Sequence, residues 1–462
     1  MLSERILSLA TQQLNKNYLN GSAAAHVDRV PPPTSVSDAR ANANATGERD
    51  LGAASVAADG GHLYMLYMHV PFCRQLCTYC SFNRFYFEET RAREYFRSLR
   101  TEMEMVAELG YRFGATYIGG GTPTVLLDEL AETLDLARRL FPDIRDVSTE
   151  TNPTDLGDEL FDALAGRVDR LSVGVQSFDN DLLQQMSRYK TTGTAEETLA
   201  AVQSMRGRFH SFNVDMIYNF PSQSMESLAR DIELVKQTGC NQTTFYPLMA
   251  SPLRRRQLRE AVGRINYARE YDMYRMICER LADSFVASSA WTFSADKDMI
   301  IDEYIVDYPE YVGIGSGAMS YLQGRNYTNT FSLREYHDRV RSGRMGITKM
   351  SEGSAGRTVD MRYYFATKLF GLRLDKDDFR ARFGVAIERG LPLEMAYMRL
   401  VGAFATNDAH EITLTDKGRY LMVALMRETL ARSNDYRDEA RAALSPDEYA
   451  ELLEQAPAAA ES

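Results

Sequence analysis

Three cysteines, Cys73, Cys77 and Cys80, fall within eight residues at spacings of four and three. Thiolates select zinc or an iron–sulfur cluster, and three on one short loop can serve either. A structural zinc needs a fourth ligand to close its tetrahedron. The nearby candidate is His69, which stands inside a strand pattern where nothing guarantees that its ring reaches the loop. A [4Fe-4S] cube normally takes four thiolates, so three leave one iron open to chelate an amino acid's amine and carboxylate. Redox dithiols, the remaining alternative, use a two-residue spacing near a different strand pattern. Cys240 and Cys278 stand alone and read as small buried hydrophobes.

Other polar residues recur at the ends of apolar runs. Gly119, Gly120, Gly121, Thr122 and Pro123 follow one such run, and glycines let a backbone come close to a ligand. Glu150 with Pro153, then Ser172, Gly174, Val175 and Gln176, close two more, and Arg188 follows twelve residues after Gln176. Each alone reads as a turn or a solvated charge; the ordered series does not. Asp215, in Val214-Asp-Met-Ile-Tyr-Asn-Phe-Pro221, puts a carboxylate inside an apolar run, where it needs a partner such as a ribose hydroxyl.

These residues need a scaffold that gathers strand ends. Short apolar runs predict strands over Tyr64–Val70, Ala115–Gly119, Asp146–Glu150, Arg170–Val175, Asn213–Ile217 and Thr243–Pro247. Phe96, Leu99, Met103 and Val106 predict an amphipathic helix after the first, and similar helices separate the others. The result is an α/β fold of repeated βα units around a parallel sheet, in which ligands bind beyond the carboxyl ends of the strands. Residues 1–62, with a short helix near Leu7–Leu14 and then Pro31, Pro32 and Pro33, read as a flexible arm, 63–350 as the catalytic domain, and 351–462 as a smaller helical or winged-helix-like domain. A short strand and turn near Glu411–Tyr420, containing Asp416, Lys417 and Gly418, belong to that last part.

Composition narrows the class. The 462 residues are 44% hydrophobic, enough for a substantial core. A formal charge of -11 argues against sequence-independent nucleic-acid binding. No run approaches the roughly 18 apolar residues of a membrane span, and Ser3, Glu4 and Arg5 interrupt any secretory signal, so a cytoplasmic location is expected.

The segment Tyr67-Met-His-Val-Pro-Phe-Cys73, with Cys77, Tyr79 and Cys80, resembles the cluster loop of the radical S-adenosylmethionine (SAM) enzymes. From Tyr64 to Ser320 the series resembles the branch containing oxygen-independent coproporphyrinogen III dehydrogenase and its related heme chaperone. The resemblance implies a partial (β/α)6 TIM-like barrel and a [4Fe-4S] cluster on Cys73, Cys77 and Cys80. It also implies two SAM molecules. Tyr67, Gly120 and Glu150 map onto the first, which chelates the cluster, with Tyr79 near its adenine. Gly121, Thr122, Gln176, Arg188, Asp215 and Pro247 map onto the second, and Gln176 and Arg188 count among the catalytic residues.

Departures separate the members. The dehydrogenase places a further cysteine two residues after the third ligand, whereas this chain continues Cys80-Ser-Phe-Asn83. The chaperone usually has glycine where Asn219-Phe-Pro-Ser222 stands. Phe245-Tyr-Pro-Leu-Met-Ala-Ser251, Gly315-Ser-Gly-Ala-Met-Ser320, Asn329-Thr-Phe-Ser332 and Tyr420 through Met426-Arg-Glu428 look like the anaerobic heme-degrading radical SAM methyltransferases of heme-utilisation loci. That resemblance implies heme as substrate, oxygen-free ring opening, release of iron, incorporation of a SAM-derived methyl carbon, and a low-potential electron donor such as a flavodoxin or reductase. Dehydrogenase and heme-carrier readings stay open. Arg254, Arg255 and Arg256 could meet heme propionates or merely start a helix. None of His210, His337 and His410 has the context of an axial ligand.

Overall fold

A computed structural model describes residues 28–33, 61–296, 299–300, 303–351 and 356–453. Strands β1 (Tyr64–Val70), β2 (Phe72–Cys73) and β3 (Phe85–Tyr86) precede α1 (Glu89–Glu108) and β4 (Phe113–Gly120). Then come α2 (Leu127–Leu140), β5 (Asp146–Thr151), α3 (Asp158–Leu164), β6 (Arg170–Gln176), α4 (Asn180–Gln185), α5 (Tyr189–Thr192), α6 (Ala195–Ser204) and β7 (Ser211–Tyr218). The series continues with α7 (Met225–Thr238), β8 (Gln242–Pro247), α8 (Pro252–Ala261) and α9 (Glu270–Leu281). All six expected strands form, the first with the expected bounds and the other five longer by one to three residues.

Helix α1 illustrates why these segments fold as they do. The Glu88 carboxylate accepts from the backbone N–H groups of Thr90 and Arg91, capping the first turn. Phe96, Leu99, Met103 and Val106 are fully buried on one stripe, each contributing about 1.5–3 kcal/mol.

Among the described residues the large sheet has twelve strands, against six read from the sequence. Strand β9 (Val286–Ala287) pairs antiparallel with β10 (Thr292–Ser294), and β10 antiparallel with β8, extending one edge. Strand β11 (Tyr311–Ile314) pairs parallel with β1, and the antiparallel β12 (Met319–Leu322), β13 (Arg325–Asn329) and β14 (Ile347–Met350) complete the other edge. The parallel centre therefore runs β11-β1-β4-β5-β6-β7-β8. Between β13 and β14 lies α10 (Leu333–Arg341). Glu102 of α1 locks this edge: its buried carboxylate accepts from the Gly315 and Gly346 amides at 2.8 and 2.7 Å and from Tyr336 Oη at 2.7 Å.

The C-terminal part is mostly helical around a three-stranded sheet. It contains α11 (Arg357–Phe370), β15 (Arg373–Asp375), α12 (Lys376–Phe383), α13 (Ile387–Gly390), α14 (Pro392–Leu400), β16 (Phe404–Asn407), β17 (Glu411–Leu414), α15 (Asp416–Ala442) and α16 (Pro446–Leu453). Asp416, Lys417 and Gly418, expected in a turn, are instead the first turn of α15, because Thr415 Oγ1 accepts from the Gly418 amide and starts the helix there. At 27 residues α15 reaches back over the sheet. Arg427 pairs with the fully buried Glu270, which also accepts from Asn219 Nδ2 at 3.2 Å and Tyr420 Oη at 3.1 Å.

Residues 28–33 are held rather than free: Val30 is buried in the core and the Pro31 carbonyl accepts from Tyr111 Oη at 2.6 Å. The rest of the expected arm, including Leu7–Leu14, lies outside the described residues. Among the described residues no helix is long and apolar enough to cross a membrane.

Candidate functional site

The cysteines sit where β1 hands the chain to a loop above the carboxyl ends of the sheet. Cys73 ends β2, which pairs with β3, so the loop leaves and returns at one place, fixed by Phe85 N–H to Pro71 O at 2.6 Å and Phe87 N–H to Cys73 O at 2.9 Å. Arg84 holds the loop from within, donating through Nη2 to the carbonyls of Cys77 at 2.6 Å and Cys80 at 2.9 Å. Thr78 ties it to the end of α4 through the carbonyls of Met186 and Gln185.

His69 does reach the loop, but not as a ligand. Its Nε2 lies 2.8 Å from the Asn83 carbonyl and its Nδ1 2.9 Å from Tyr67 Oη. Burial pulls the imidazole down to about 4, so the ring is neutral. A carbonyl only accepts, so Nε2 carries the proton and Nδ1 accepts from Tyr67.

Polar donors converge on the sulfurs. Thr122 Oγ1 lies 3.6 Å from Cys73 Sγ and Arg188 Nη1 3.5 Å from Cys77 Sγ. Arg188 Nη2 donates to Asn152 Oδ1 at 2.9 Å and to the Gly174 carbonyl, and Asn152 Nδ2 donates to Thr122 Oγ1 at 2.9 Å. One chain of bonds thus joins the ends of β4, β5 and β6 to two of the three cysteines. Gln176 ends β6 with φ 74, a left-handed conformation that costs a non-glycine residue roughly 1–3 kcal/mol.

The glycine run also brings two parts of the chain close together. A Cβ on Gly121 would stand 2.6 Å from the Phe72 carbonyl oxygen, and one on Gly120 2.5 Å from the His69 ring. The close approach is between β4 and the cysteine loop itself, sealed by Gly121 N–H to Val70 O at 2.8 Å and Thr122 N–H to Phe72 O at 2.7 Å. Glu150 accepts from Tyr117 Oη at 2.6 Å and faces the Gly120 amide at 3.4 Å.

The Asp215 carboxylate accepts from Ser172 Oγ at 2.6 Å and Asn213 Nδ2 at 2.7 Å, which orient it from the sheet. Tyr79 packs against a small cluster of Leu182, Met186, Ile217, Phe220 and Leu248, and buried Pro247 closes β8 beside it. Arg254, Arg255 and Arg256 are the third to fifth residues of α8. His337 accepts or donates to Ser98 at 2.8 Å, exposed His410 pairs with Asp377, and His210 lines a cavity of about 320 Å³ at the amino ends of the strands, away from the cysteines.

Three thiols with cationic surroundings fit an anionic cluster. Burial pushes the Cys73 thiol up to about 12, Arg84 opposing it and the other two thiols adding to it. Arg84 Nη1 is buried with no partner among the described residues, leaving positive charge for thiolates to offset. No three of His, Cys, Asp or Glu among the described residues gather around a single ion. Ligands of a cube spread wider than ligands of one ion.

Several of these residues escaped sequence reading: Arg84, Asn152 and, from α15, Arg437 and Arg441. Arg441 Nη1 donates to the carbonyls of Ser81 and Phe82 at 2.7 and 2.9 Å. Asn152 stands between Glu150 and Pro153 and was within reach of the strand-end argument; the arginines of α15 carried no local signal.

Residues 67–235 match the Radical SAM superfamily. The chain carries a radical SAM domain. That family implies a [4Fe-4S] cluster and SAM. The heme chaperone HemW of Lactococcus lactis is 29% identical over 373 residues, covering 76% of this chain and 93% of its own length. Anaerobilin synthase of Escherichia coli O157:H7 is 27% identical over 331 residues, covering 68% of this chain and 73% of that one. An oxygen-independent coproporphyrinogen III oxidase of Cereibacter sphaeroides is 27% identical over 432 residues, covering 86% and 93%. The structure of Escherichia coli coproporphyrinogen III oxidase shares the fold, with a TM-score of 0.66, 20% identity, and coverage of 80% of this chain and 90% of that one. The matched segment runs from Tyr67 on β1 into α7, and the site residues from Cys73 to Asp215 all fall inside it.

Proposed function

We propose that this protein degrades heme without oxygen, as a cytoplasmic radical SAM methyltransferase that opens the porphyrin ring, inserts a SAM-derived methyl carbon and releases iron. Cys73, Cys77 and Cys80 hold the cluster; Tyr67, Tyr79, Gly120 and Glu150 serve the SAM on it. Gly121, Thr122, Gln176, Arg188, Asp215 and Pro247 serve a second SAM. When bound, the reduced cluster supplies the electron that cleaves SAM.

The observation that carries this reading is the continuous hydrogen-bonded chain Thr122–Asn152–Arg188, anchored on the sulfurs of Cys73 and Cys77 and reaching the Gly174 carbonyl beside Gln176. A protein that only carried heme has no need of a second polar station wired to the first. Within it Arg188 presents a fixed charge to the methionine end of a ligand, and Asp215, held by Ser172 and Asn213, presents lone pairs to hydroxyls. The protein's share of the work is to place these groups and keep out water. The name of the Escherichia coli O157:H7 relative, anaerobilin synthase, supports the same reading, and a low-potential flavodoxin or reductase suits the electron it requires.

A heme-carrier reading is favoured by the extent of the match to the Lactococcus chaperone, 93% of that protein's length. Anaerobic incubation of the reconstituted protein with reductant, SAM and heme separates the cases. Mass spectrometry is expected to find a ring-opened, methyl-bearing tetrapyrrole that disappears with Cys77→Ala. Unchanged bound heme points to the carrier. Decarboxylation of coproporphyrinogen without heme consumption points to the oxidase.

A further inference from the structure

Helix α15 brings two arginines one turn apart onto the cluster loop. Arg441 is spent on the carbonyls of Ser81 and Phe82. Arg437 is not. Its guanidinium lies over the Phe82 ring at 4.7 Å, and among the described residues its one hydrogen bond is from Nη1 to Asn434 Oδ1 at 2.7 Å. Asn434 is itself oriented by donating through Nδ2 to the Met249 carbonyl at 3.0 Å, so its oxygen is the atom turned to the arginine. Of the five N–H groups in a guanidinium, most remain for a ligand.

The surroundings define what that ligand is. The charge on Arg437 acts on the buried Tyr67, Tyr304 and Tyr311, and its stacking on Phe82 sets it against the cluster loop two residues past Cys80. Tyr67 stacks at 6.2 Å on Tyr117 and at 6.4 Å on Tyr304, so these tyrosines form one aromatic cluster. Among the described residues no carboxylate pairs with Arg437, whereas a half-buried guanidinium normally finds one. Phe82, 43% exposed beside it, leaves apolar surface uncovered on the same loop.

We propose that Arg437, positioned by Asn434 and stacked on Phe82, is a carboxylate-binding station that receives a propionate arm of the substrate at the mouth of the cluster site. The proposal rests on the tetrapyrrole reading above. A planar fork facing a carboxylate makes two parallel charge-assisted hydrogen bonds, which an ammonium does not reproduce.

The test titrates the full-length protein with heme and with heme dimethyl ester, following absorbance. The wild type is expected to prefer the free acid by roughly 10- to 100-fold, the range of a charge-assisted pair. Arg437→Met is expected to bind acid and ester alike, and Arg437→Lys to keep part of the preference. Should Arg437→Met fail to fold, the lysine variant decides: a preference reduced about tenfold supports the station, an unchanged one overturns it. Unchanged discrimination in folded Arg437→Met overturns it too, as does a loss confined to SAM affinity, which would assign the arginine to SAM's carboxylate. If the wild type binds neither porphyrin, the tetrapyrrole reading itself falls, an outcome distinct from binding without acid preference.

Discussion

Arg84→Met should make the iron–sulfur cluster labile. The wild-type guanidinium holds the carbonyls of two ligand residues, Cys77 at 2.6 Å and Cys80 at 2.9 Å, while only 4% exposed. Hydrogen bonds from a charged donor are worth about 1.5–3 kcal/mol each, so two amount to about 3–6 kcal/mol. Methionine keeps the packing of the stem, and water can reach the carbonyl of half-buried Cys80, so about 2–4 kcal/mol of loop order is lost. Because the loop must be ordered to bind, this converts to a cluster affinity lower by roughly 30- to 700-fold. Arg84→Lys, which keeps the charge and one bond, should fall between. The assay is iron and sulfide per chain after anaerobic reconstitution, then the rate of loss to a chelator, with Cys77→Ala as the zero point. An Arg84→Met protein that loads as much iron as wild type and loses it no faster would refute the reasoning.

Other residues give independent tests. Removing Arg427 leaves Glu270 fully buried and unpaired, so Arg427→Met should cost about 3–5 kcal/mol in denaturant unfolding, seen as a lower midpoint. Asp231 accepts from Phe178 N–H at 2.7 Å and Ser177 Oγ at 2.8 Å, just beyond Gln176, and burial raises its carboxyl to about 7. The folded state therefore binds a proton that the unfolded state has released between about pH 4 and 7, so stability falls as pH rises through that window, by up to about 1.4 kcal/mol per unit. Asp231→Asn should flatten this slope in urea titrations at several pH values. Gln176→Gly should relieve the strain at φ 74 and leave stability unchanged or up to about 1 kcal/mol higher, while SAM affinity by calorimetry falls.

The sequence was most informative where chemistry and periodicity coincide. Cys73, Cys77 and Cys80 stand on one loop, Glu150 and Gln176 stand at the ends of strands and Asp215 within one, all long and apolar enough to be seen, so their gathering on one sheet was legible. Strand β11 was not, because four residues, Tyr311–Ile314, carry no alternation and their partner lies some 240 residues earlier on β1. The same holds for Arg84, whose function is defined by carbonyls it happens to face, and for Arg437 and Arg441, which reach the loop only because α15 folds back across the sheet. Gly121 was recognised as special without this neighbour: a glycine announces that something comes close, and the structure places the backbone of Phe72 there.

The most direct test uses SAM deuterated in its methyl group, with heme and reductant under anaerobic conditions. The account predicts deuterium in the released 5'-deoxyadenosine, because hydrogen is taken from the methyl of a second SAM, and a labelled carbon in a ring-opened product that has lost its iron. Heme-dependent 5'-deoxyadenosine without deuterium, or no cleavage of SAM while heme stays bound and intact, would contradict it.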